Sequence, residues 1–550
     1  MMKFGNRIAM RTIFLALLLS GLTILAYRPV WNGGFIWDDD RYVTNNPLLA
    51  APDGLRRIWF SLDAPSQYFP LTYTVLRVER FLWGLNPAGY HWVNLLFHVA
   101  NTLLVWRMLT RLNLPGGWPA SAIFALHPVQ VESVAWISEL KNLLMGFFFL
   151  LTLLAWIEFV DSRGGRRRIC YAAALIFYFL ALAAKSTACT LPAAMLLILW
   201  WQHRPIGRKA LAQVAPFLGL AVTVGIIAIW WEKYHQGTRV LVSIAPLDRL
   251  LIASRAIWFY LSKIFWPSDL TFIYPQWEIS PSDPAAYTWL LLTVVLAVFI
   301  WLARRRFGRG PEVAALFFVL TLGPLLGFVM LYTFRYTFVA DHYQYLACIG
   351  PIAFACCAFV RYSERIRNGR WIEWTATLAA LICLTFLTVR QSETYRDIET
   401  LWRTTIARDP NSWMAYNNLG VVRFEKGQAD EAIADYRRSL RLHPDYPEAH
   451  YNLGSALLHQ GQVDDAIQEC ESALALLPNE PDAHVVLGNA FLVKNEVDQA
   501  IGEYAKALTI RPDDANAHYN LGVAFQQKGE TGRAADEFEK AKELDRGHEP

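Results

Sequence analysis

Three consecutive carboxylates, Asp38, Asp39 and Asp40, stand shortly after the first apolar segment of this 550-residue chain, directly behind Trp37. Acidic side chains at the mouth of a membrane bundle, screened from water by aromatic residues, are suited to act as a general base or as metal ligands. Acids in this position can also do no more than mark the water side of a membrane interface. The elements around the acids must distinguish between these interpretations.

Further ionisable side chains fall inside or beside later apolar segments, where a charge is costly; they are His127, Glu132, Lys185, Arg335, Asp341 and His342. Glu132 is the hardest to explain as a surface charge, because a carboxylate within an apolar segment needs a partner. Lys185 marks a turn between two apolar segments. Acids from one loop and cations from others, gathered on one face, would suit a ligand that carries phosphate.

Several of these side chains also have a structural interpretation. His98 and His127 are expected to be core histidines with satisfied hydrogen bonds, and Lys141 is expected to snorkel to the interface. Most of the Trp residues are typical of interface belts. Trp37 differs because it abuts the acids, and with Glu132 and His127 it forms a supporting set around them.

Composition separates the chain into two parts. Only 18% of the residues are charged and 54% are apolar, whereas about a quarter of a soluble protein is charged. From Asn411 onward, 24 acidic residues face 13 basic ones, so an apolar, basic part precedes a polar, acidic tail. Seven scattered cysteines, without CxxC or zinc spacing, exclude a disulfide framework. No nucleotide-binding motif occurs, and nothing indicates nucleic acid as a partner.

Eleven apolar runs have membrane-spanning length: 13–26, 91–110, 118–138, 143–160, 169–185, 187–201, 210–231, 286–303, 312–331, 344–361 and 371–389. The first is predicted to be an uncleaved helix, because no small-residue cleavage site follows it. Basic clusters fall in alternate loops, which predicts a cytoplasmic N-terminus and an external C-terminal part. The segment 250–266 contains Arg255 and Lys263 and is predicted to be amphipathic or re-entrant. This topology places the acids on the outer face.

The tail repeats every 34 residues: Leu-Gly pairs begin at 419, 453, 487 and 521, and prolines recur at 410, 444, 478 and 512. This period and pattern are those of tetratricopeptide (TPR) repeats, helix pairs that stack into a solenoid. The prediction is an all-α protein with a membrane bundle over 1–390, a connecting half repeat over 391–412 and four repeats over 413–550. Candidate ligands for a peptide backbone are Asn417, Asn418, Asn452 and Asn520, which are otherwise ordinary exposed polar positions.

The chain resembles the transmembrane-and-TPR O-mannosyltransferase family and its bacterial relatives. The resemblance rests on segments 35–39 (FIWDD), 45–47 (NNP), 70–72 (PLT), 86–98 (NPAGYHWVNLLFH), 127–136 (HPVQVESVAW) and 185–187 (KST), followed by the repeats. It implies the GT-C class of membrane glycosyltransferases, with an acidic motif in the first outer loop and a sugar donor on polyprenyl phosphate. Gln130 and His342 depart from the family pattern, which has His and Arg there.

The resemblance implies roles for particular residues. Asp38 or Asp39 would deprotonate the acceptor hydroxyl, and Lys185, Arg335 and the Asp341–His342 pair would hold the donor phosphate. The sugar is expected to be mannose or another hexose and the acceptor a protein, bound, like other partners, through the repeats. The expected location is a membrane, as a bacterial inner-membrane protein with periplasmic repeats.

Other functions fit the same architecture. A polysaccharide polymerase or ligase would also span the membrane many times, although such proteins tend to concentrate working residues in a late outer loop. A transporter, or a non-enzymatic anchor that carries a TPR scaffold, would need no catalytic acid. Metal dependence stays open at this point, because one acid of the cluster could bind Mg²⁺ or Mn²⁺ through oxygen.

Overall fold

The computed structural model describes residues 2–61, 67–236, 244–328 and 332–546, and these ranges contain helices and turns but no β-strand. The chain divides into two compact units, Met1–Asp397 and Ile398–Pro550. Residues 62–66 and 237–243, the end of the predicted span 312–331 and the last four residues of the predicted repeats over 413–550 lie outside the described ranges.

The first unit contains fifteen α-helices within its described residues. They are α1 (Met2–Ala26), α2 (Gly54–Phe60), α3 (Pro70–Trp83), α4 (Pro87–Arg111), α5 (Gly117–Leu126), α6 (Val131–Ala135), α7 (Leu140–Asp161), α8 (Gly164–Ala184), α9 (Leu191–Trp201), α10 (Arg208–Gln236), α11 (Pro246–Phe265), α12 (Thr288–Phe307), α13 (Gly310–Leu322), α14 (Ile349–Ser363) and α15 (Gly369–Glu393).

Five segments of the described chain are long and apolar enough to cross a membrane: Ile137–Asp161, Gly164–Ala184, Arg208–Trp231, Pro284–Phe307 and Gly369–Glu393. Five shorter apolar helical segments accompany them: Met10–Ala26, Gly117–Leu126, Ser186–Trp201, Gly310–Leu325 and Ile349–Ser363. The chain is a membrane protein, and the number of eleven spans stays a prediction. The segment predicted to be amphipathic or re-entrant lies within α11, with Ile252 and Tyr260 buried and Trp266, just beyond its end, exposed.

The apolar run 118–138 is not a single helix. Helix α5 ends at Leu126, and short helical turns lead through α6 to α7. The cause is Pro128, which lacks an N–H and pushes the preceding residue out of the helical region; His127 accordingly has φ −80° and ψ 127°. Residues 127–142 are all buried. The break therefore replaces half a helix with a compact segment that carries several polar side chains into the interior.

The second unit begins with α16 (Ile398–Arg408) and continues as four helix pairs: α17 (Trp413–Glu425) with α18 (Ala429–Leu442), α19 (Pro447–His459) with α20 (Val463–Leu476), α21 (Pro481–Val493) with α22 (Val497–Ile510), and α23 (Ala515–Lys528) with α24 (Thr531–Arg546). Each Leu-Gly glycine lies under a side chain of the second helix; a Cβ on Gly488 would stand 2.6 Å from the Tyr504 ring. The 34-residue period thus corresponds to one helix pair.

A second contact repeats through the helix pairs. The Nδ1 atoms of His450, His484 and His518 lie 2.6, 2.6 and 2.5 Å from carboxylates of Glu469, Glu503 and Glu537. The Nε2 atoms of the same histidines lie 2.9, 3.1 and 3.0 Å from the carbonyl oxygens of Pro444, Pro478 and Pro512. Each histidine thereby joins both helices of its repeat to the turn before it.

Candidate active site

The acidic loop is held by its second carboxylate. Asp39 is fully buried; its Oδ2 accepts the amide of Ile36 at 2.9 Å and its Oδ1 accepts the amide of Ser138 at 2.8 Å. Trp37, within the same turn, has a positive φ of 48°, which is a strained conformation for a bulky residue and is typical of functional sites. Asp39 therefore ties the acidic loop to the segment that precedes α7.

The three acids have different environments. Asp38 is half-buried, Asp39 buried and Asp40 exposed. Burial raises the pKa of Asp39 to about 7, while the amides of Ile36 and Ser138 oppose the rise. Burial also raises the pKa of Asp38, and the positive charges of Lys141 and Arg41 oppose that rise. A carboxylate with a raised pKa and both oxygens available is the better general base. Since the amides occupy both oxygens of Asp39, Asp38 fits that role.

Glu139 lies at the centre of a group of cations. Its Oε1 is 2.9 Å from the Lys141 Nζ and 3.9 Å from the His342 Nε2, and its Oε2 is 3.5 Å from the Lys185 Nζ. Glu139 is 1% exposed, and both lysines are less than 10% exposed. Buried charges are stable only when paired in this way. We call Glu139, Lys141, Lys185 and His342 the cation cluster.

The expectation that Lys141 snorkels to the membrane interface is wrong. Its ammonium lies 4.7 Å from the centroid of the Tyr42 ring and 5.4 Å from that of the Trp136 ring, in addition to its ion pair with Glu139. Two aromatic faces and a carboxylate stabilise the buried charge. Lys141 therefore belongs to the site.

Glu132 has its partner, His342, in the loop that precedes α14. One carboxylate oxygen accepts the backbone amide of His342 at 2.9 Å, and the other lies 3.1 Å from the His342 Nδ1. In the same loop, the Asp341 carboxylate accepts the hydroxyl of Tyr274 at 3.0 and 3.1 Å. Asn142 closes the arrangement, because it donates to the His342 carbonyl at 3.0 Å and accepts from Lys185 at 2.8 Å.

Other predicted residues have their observed contacts elsewhere. The Nε2 of His127 lies 2.9 Å from the carbonyl oxygen of Ile264, and its Nδ1 accepts the amide of Val129 at 3.4 Å. His98 likewise has hydrogen-bond partners for both ring nitrogens, as expected of a core histidine. The guanidinium of Arg335, half-buried, lies 5.7 Å from the centroid of the Tyr336 ring.

A small cleft adjoins the cation cluster, with an enclosed volume of about 20 Å³. The polar residues that line it are Asn142, His342, Thr187, Thr190 and Thr321. The remaining wall is largely apolar and includes Met145, Phe149, Leu325 and Leu346. These side chains offer hydrogen bonds to an anionic group and apolar contacts to a hydrocarbon.

The described acids are a poor match for a metal site. Among the described residues, no group of three or more His, Cys, Asp or Glu side chains is placed to hold a metal ion. Amide hydrogens already occupy both oxygens of Asp39, which leaves Asp38 as the one acid of the pair with open coordination. This arrangement is a poor fit for Mg²⁺ or Mn²⁺, which need several oxygen ligands.

The asparagines of the repeats form linked amides. Asn452 donates to the side chain of Asn417 at 3.0 Å, and Asn520 donates to that of Asn489 at 3.1 Å. Asn418 instead donates to the Met414 carbonyl, four residues earlier in α17, at 2.7 Å. Each linked pair keeps amide hydrogens or oxygens beyond those of the mutual bond, which are the groups that a peptide backbone can bind.

Sequence reasoning missed Glu139, Asn142 and Tyr274. Glu139 and Asn142 border the apolar start of α7 and were expected to be part of a simple turn. A signal was present, because Glu139 and Lys141 are opposite charges at the edge of an apolar segment. Tyr274 carries no such signal, since only its position beside Asp341 distinguishes it from other tyrosines of the chain.

The comparisons with known proteins extend over both units. Models described as tetratricopeptide repeat match residues 390–447, 423–481 and 515–548, and one described as TPR repeat matches 488–529. The repeats are also similar to the crystal structure of MamA, with 29% identity, a TM-score of 0.24 and coverage of 27% of this chain and 86% of that one.

Two relatives align with most of the chain. The protein O-mannosyl-transferase F38B6.6 of Caenorhabditis elegans is 23% identical over 461 residues, which are 78% of this chain and 63% of that protein. The human protein O-mannosyl-transferase TMTC1 is 22% identical over 498 residues, which are 78% of this chain and 55% of that protein. The chain thus spans less than two thirds of the length of these relatives.

The fold and the repeats define a helical membrane protein that carries a TPR solenoid. The names of the aligned relatives confirm its resemblance to the transmembrane-and-TPR O-mannosyltransferase family, TMTC.

Proposed function

We propose that this chain is an integral-membrane glycosyltransferase that moves mannose, or another hexose, from a polyprenyl-phosphate donor to a hydroxyl of a protein acceptor. The observation that carries the proposal is the cation cluster beside a cleft that both polar and apolar side chains line. The names of the relatives support sugar transfer to protein as the reaction class.

The donor phosphate binds beside the polar residues of the cleft. Lys185 and His342, with Asn142 between them, offer charge and N–H groups to the phosphate oxygens. The prenyl chain lies against Met145, Phe149 and the other apolar residues of the cleft. Arg335 and Asp341, from the same loop as His342, are proposed to help hold the donor phosphate.

Transfer is a single displacement. Asp38 accepts the proton of the acceptor hydroxyl, and the hydroxyl oxygen forms a bond to the anomeric carbon of the sugar. The bond from that carbon to the phosphate oxygen breaks, and its electron pair stays on the phosphate, which leaves as polyprenyl phosphate. One displacement inverts the anomeric centre. Asp39 and Trp37 hold the loop that presents Asp38, and Glu132 positions His342.

The TPR repeats bind the protein acceptor or a protein partner. Support comes from the linked asparagine amides and from the general use of such helix pairs as peptide-binding surfaces. The proposed location is a bacterial inner membrane with periplasmic repeats. The alternation of basic clusters supports a cytoplasmic N-terminus and external repeats.

Mass spectrometry of envelope proteins tests the proposal. Cells that lack the gene are complemented with the wild type, with Asp38→Asn or with Asp40→Asn, and peptides are searched for hexose. Wild type and Asp40→Asn restore the modification, because Asp40 is exposed and outside the site. Asp38→Asn reduces transfer by about 10²-fold or more, the usual contribution of a general base.

Membrane levels and the thermal midpoint of each variant serve as controls for folding. Unchanged glycosylation by Asp38→Asn would remove the base from the mechanism. If wild-type and gene-deleted cells carry identical protein hexose, but surface polysaccharide is lost, the chain is a polysaccharide polymerase or ligase instead. If neither protein hexose nor surface polysaccharide changes, the chain is a transporter or a scaffold.

A further inference from the structure

Glu139 occupies the same cations that the proposed donor phosphate requires. Its two oxygens lie 2.9 Å from Lys141 and 3.5 Å from Lys185, and the first is also 3.9 Å from His342. A carboxylate and a phosphate are alternative partners for an ammonium group, since both present anionic oxygens with similar geometry. The site therefore contains its own anion.

The Glu139 carboxylate is connected to the cleft through Lys185 and Asn142. Lys185 donates to Asn142 at 2.8 Å, and Asn142 and His342 line the cleft. The same ammonium reaches Glu139. A phosphate beside the polar residues of the cleft must therefore share Lys185 and His342 with Glu139 or displace its carboxylate from them.

The charge on the phosphate changes during the proposed reaction. The donor is a phosphodiester with one negative charge. The departing polyprenyl phosphate is a monoester with a charge of about −1.5 to −2 at neutral pH. Buried cations attract the product more strongly than the donor, because Coulomb energies grow with charge and are weakly screened in the interior. Without a competing anion, the site would retain its product.

We infer that Glu139 is a positioning residue that promotes product release: its carboxylate competes with the phosphate of polyprenyl phosphate for Lys185 and His342. The inference rests on the proposed function. When the product leaves, Glu139 restores its ion pair with Lys185, so this lysine never remains buried without a partner. When the donor binds, its single charge displaces Glu139 only in part. Glu139 therefore keeps the cations in position to bind the phosphate.

The test is equilibrium binding to the full-length protein in lipid nanodiscs, with polyprenyl phosphate, the matching polyprenol and inorganic phosphate as probes. Glu139→Gln keeps the shape of the side chain and removes its charge. We expect it to bind polyprenyl phosphate about tenfold tighter than the wild type does, because a nearby buried negative charge is gone. Binding of polyprenol is unchanged, and inorganic phosphate binds more weakly than the lipid because it lacks the chain.

Kinetics provide a second measurement on the same variant. If release limits turnover in Glu139→Gln, the first turnover is as fast as in the wild type, and steady-state turnover is slower. Added polyprenyl phosphate then inhibits the variant more strongly. A role limited to folding predicts the opposite, namely weaker binding and a slower first turnover.

Glu158 provides the matched control. It lies on the same helix, α7, and bridges Arg111 and Arg166 at 2.5 and 2.8 Å. Glu158→Gln also removes a carboxylate between two cations, but its partners do not belong to the cation cluster. Its affinity for polyprenyl phosphate is expected to equal that of the wild type.

A double variant keeps the test decisive if Glu139→Gln does not fold. Glu139→Gln with Lys185→Gln removes both partners of a buried pair, which costs less than removing one. We expect the double variant to bind polyprenyl phosphate tighter than Lys185→Gln alone. Equal or weaker binding in either comparison would overturn the inference and leave the proposed function standing. A wild type that does not prefer polyprenyl phosphate to polyprenol would instead overturn the proposed donor.

Discussion

Asp39 gives both of its carboxylate oxygens to backbone amides, one in its own loop and one from the segment before α7. Asp38, the preceding residue, is half-buried and lies within the field of Lys141. The first arrangement fixes a loop, and the second leaves a carboxylate available for proton transfer. At the scale of single residues, the two aspartates therefore differ in what their loss would cost.

Asp39→Asn is expected to destabilise the protein. The new NH₂ group would face a backbone N–H, so one buried amide loses its acceptor at a cost of about 1–3 kcal/mol. The thermal midpoint of the purified protein in detergent measures the loss. Asp40→Asn is the control, since Asp40 is exposed. An Asp39→Asn variant as stable as the control would show that the two amide bonds do not hold the loop.

The pH dependence of transfer should report Asp38. A general base works when ionised, so the rate is full above the pKa of Asp38, which burial raises, and is lost as pH falls through it. Lys141→Met removes a positive charge that opposes the rise. The acid limb of the pH–rate profile then moves to higher pH, whereas Lys141→Arg leaves it in place. Identical pH–rate profiles for all three proteins would show that the charge of Lys141 does not affect the pKa of Asp38.

Elements of the second unit depend on close contacts between helices of one repeat. In α21, a Cβ on Gly488 would stand 2.6 Å from the Tyr504 ring of α22, a distance that forces one helix to move. In α22, a Cβ on Gly502 meets no other atom within 4 Å. Alanine substitutions at these two glycines are therefore expected to have opposite effects on the stability of one helix pair.

Gly488→Ala should destabilise the repeats by about 1–3 kcal/mol through overpacking. Gly502→Ala should stabilise them by about 0.5–1 kcal/mol, because alanine loses less backbone entropy in a helix. Hydrogen exchange across residues 398–546 of the full-length protein measures both effects. If both variants change protection in the same direction, helix contact at the Leu-Gly pair does not control stability.

The repeats were predictable from the sequence, and the interior of the membrane unit was only partly so. Four matching registers of Leu-Gly and Pro specify helix pairs directly. Hydropathy over 118–138 could not show that Pro128 ends α5 at Leu126, because a window average hides a single backbone restriction. Lys141 was misjudged for a related reason: Tyr42, whose ring it contacts, comes from a distant loop.

The whole molecule combines a membrane unit whose basic clusters alternate along the chain with an acidic tail. The alternation predicts that the turn before α12 faces outside and the turn between α14 and α15 faces the cytoplasm. Both turns carry exposed polar residues that tolerate replacement, Ser282 in the first and Arg365 in the second.

Single-cysteine labelling checks this topology. In a background without the native cysteines, Ser282→Cys in intact spheroplasts should react with a membrane-impermeant maleimide. Arg365→Cys should react only after the membrane is permeabilised. The reverse pattern would place the acidic loop on the cytoplasmic side and remove a periplasmic acceptor. Labelling of both sites in intact spheroplasts would contradict the odd number of spans predicted between them.

The histidine contacts that recur through the helix pairs have a consequence for the length of the tail. In three of the four helix pairs, the histidine joins a glutamate of its own pair and a proline carbonyl of the preceding turn at constant offsets. Removing one full period between equivalent positions would bring together residues that already match, whereas a cut of any other length would separate histidine from glutamate. The length of the tail can therefore change by whole repeats while the contacts between neighbouring repeats stay the same.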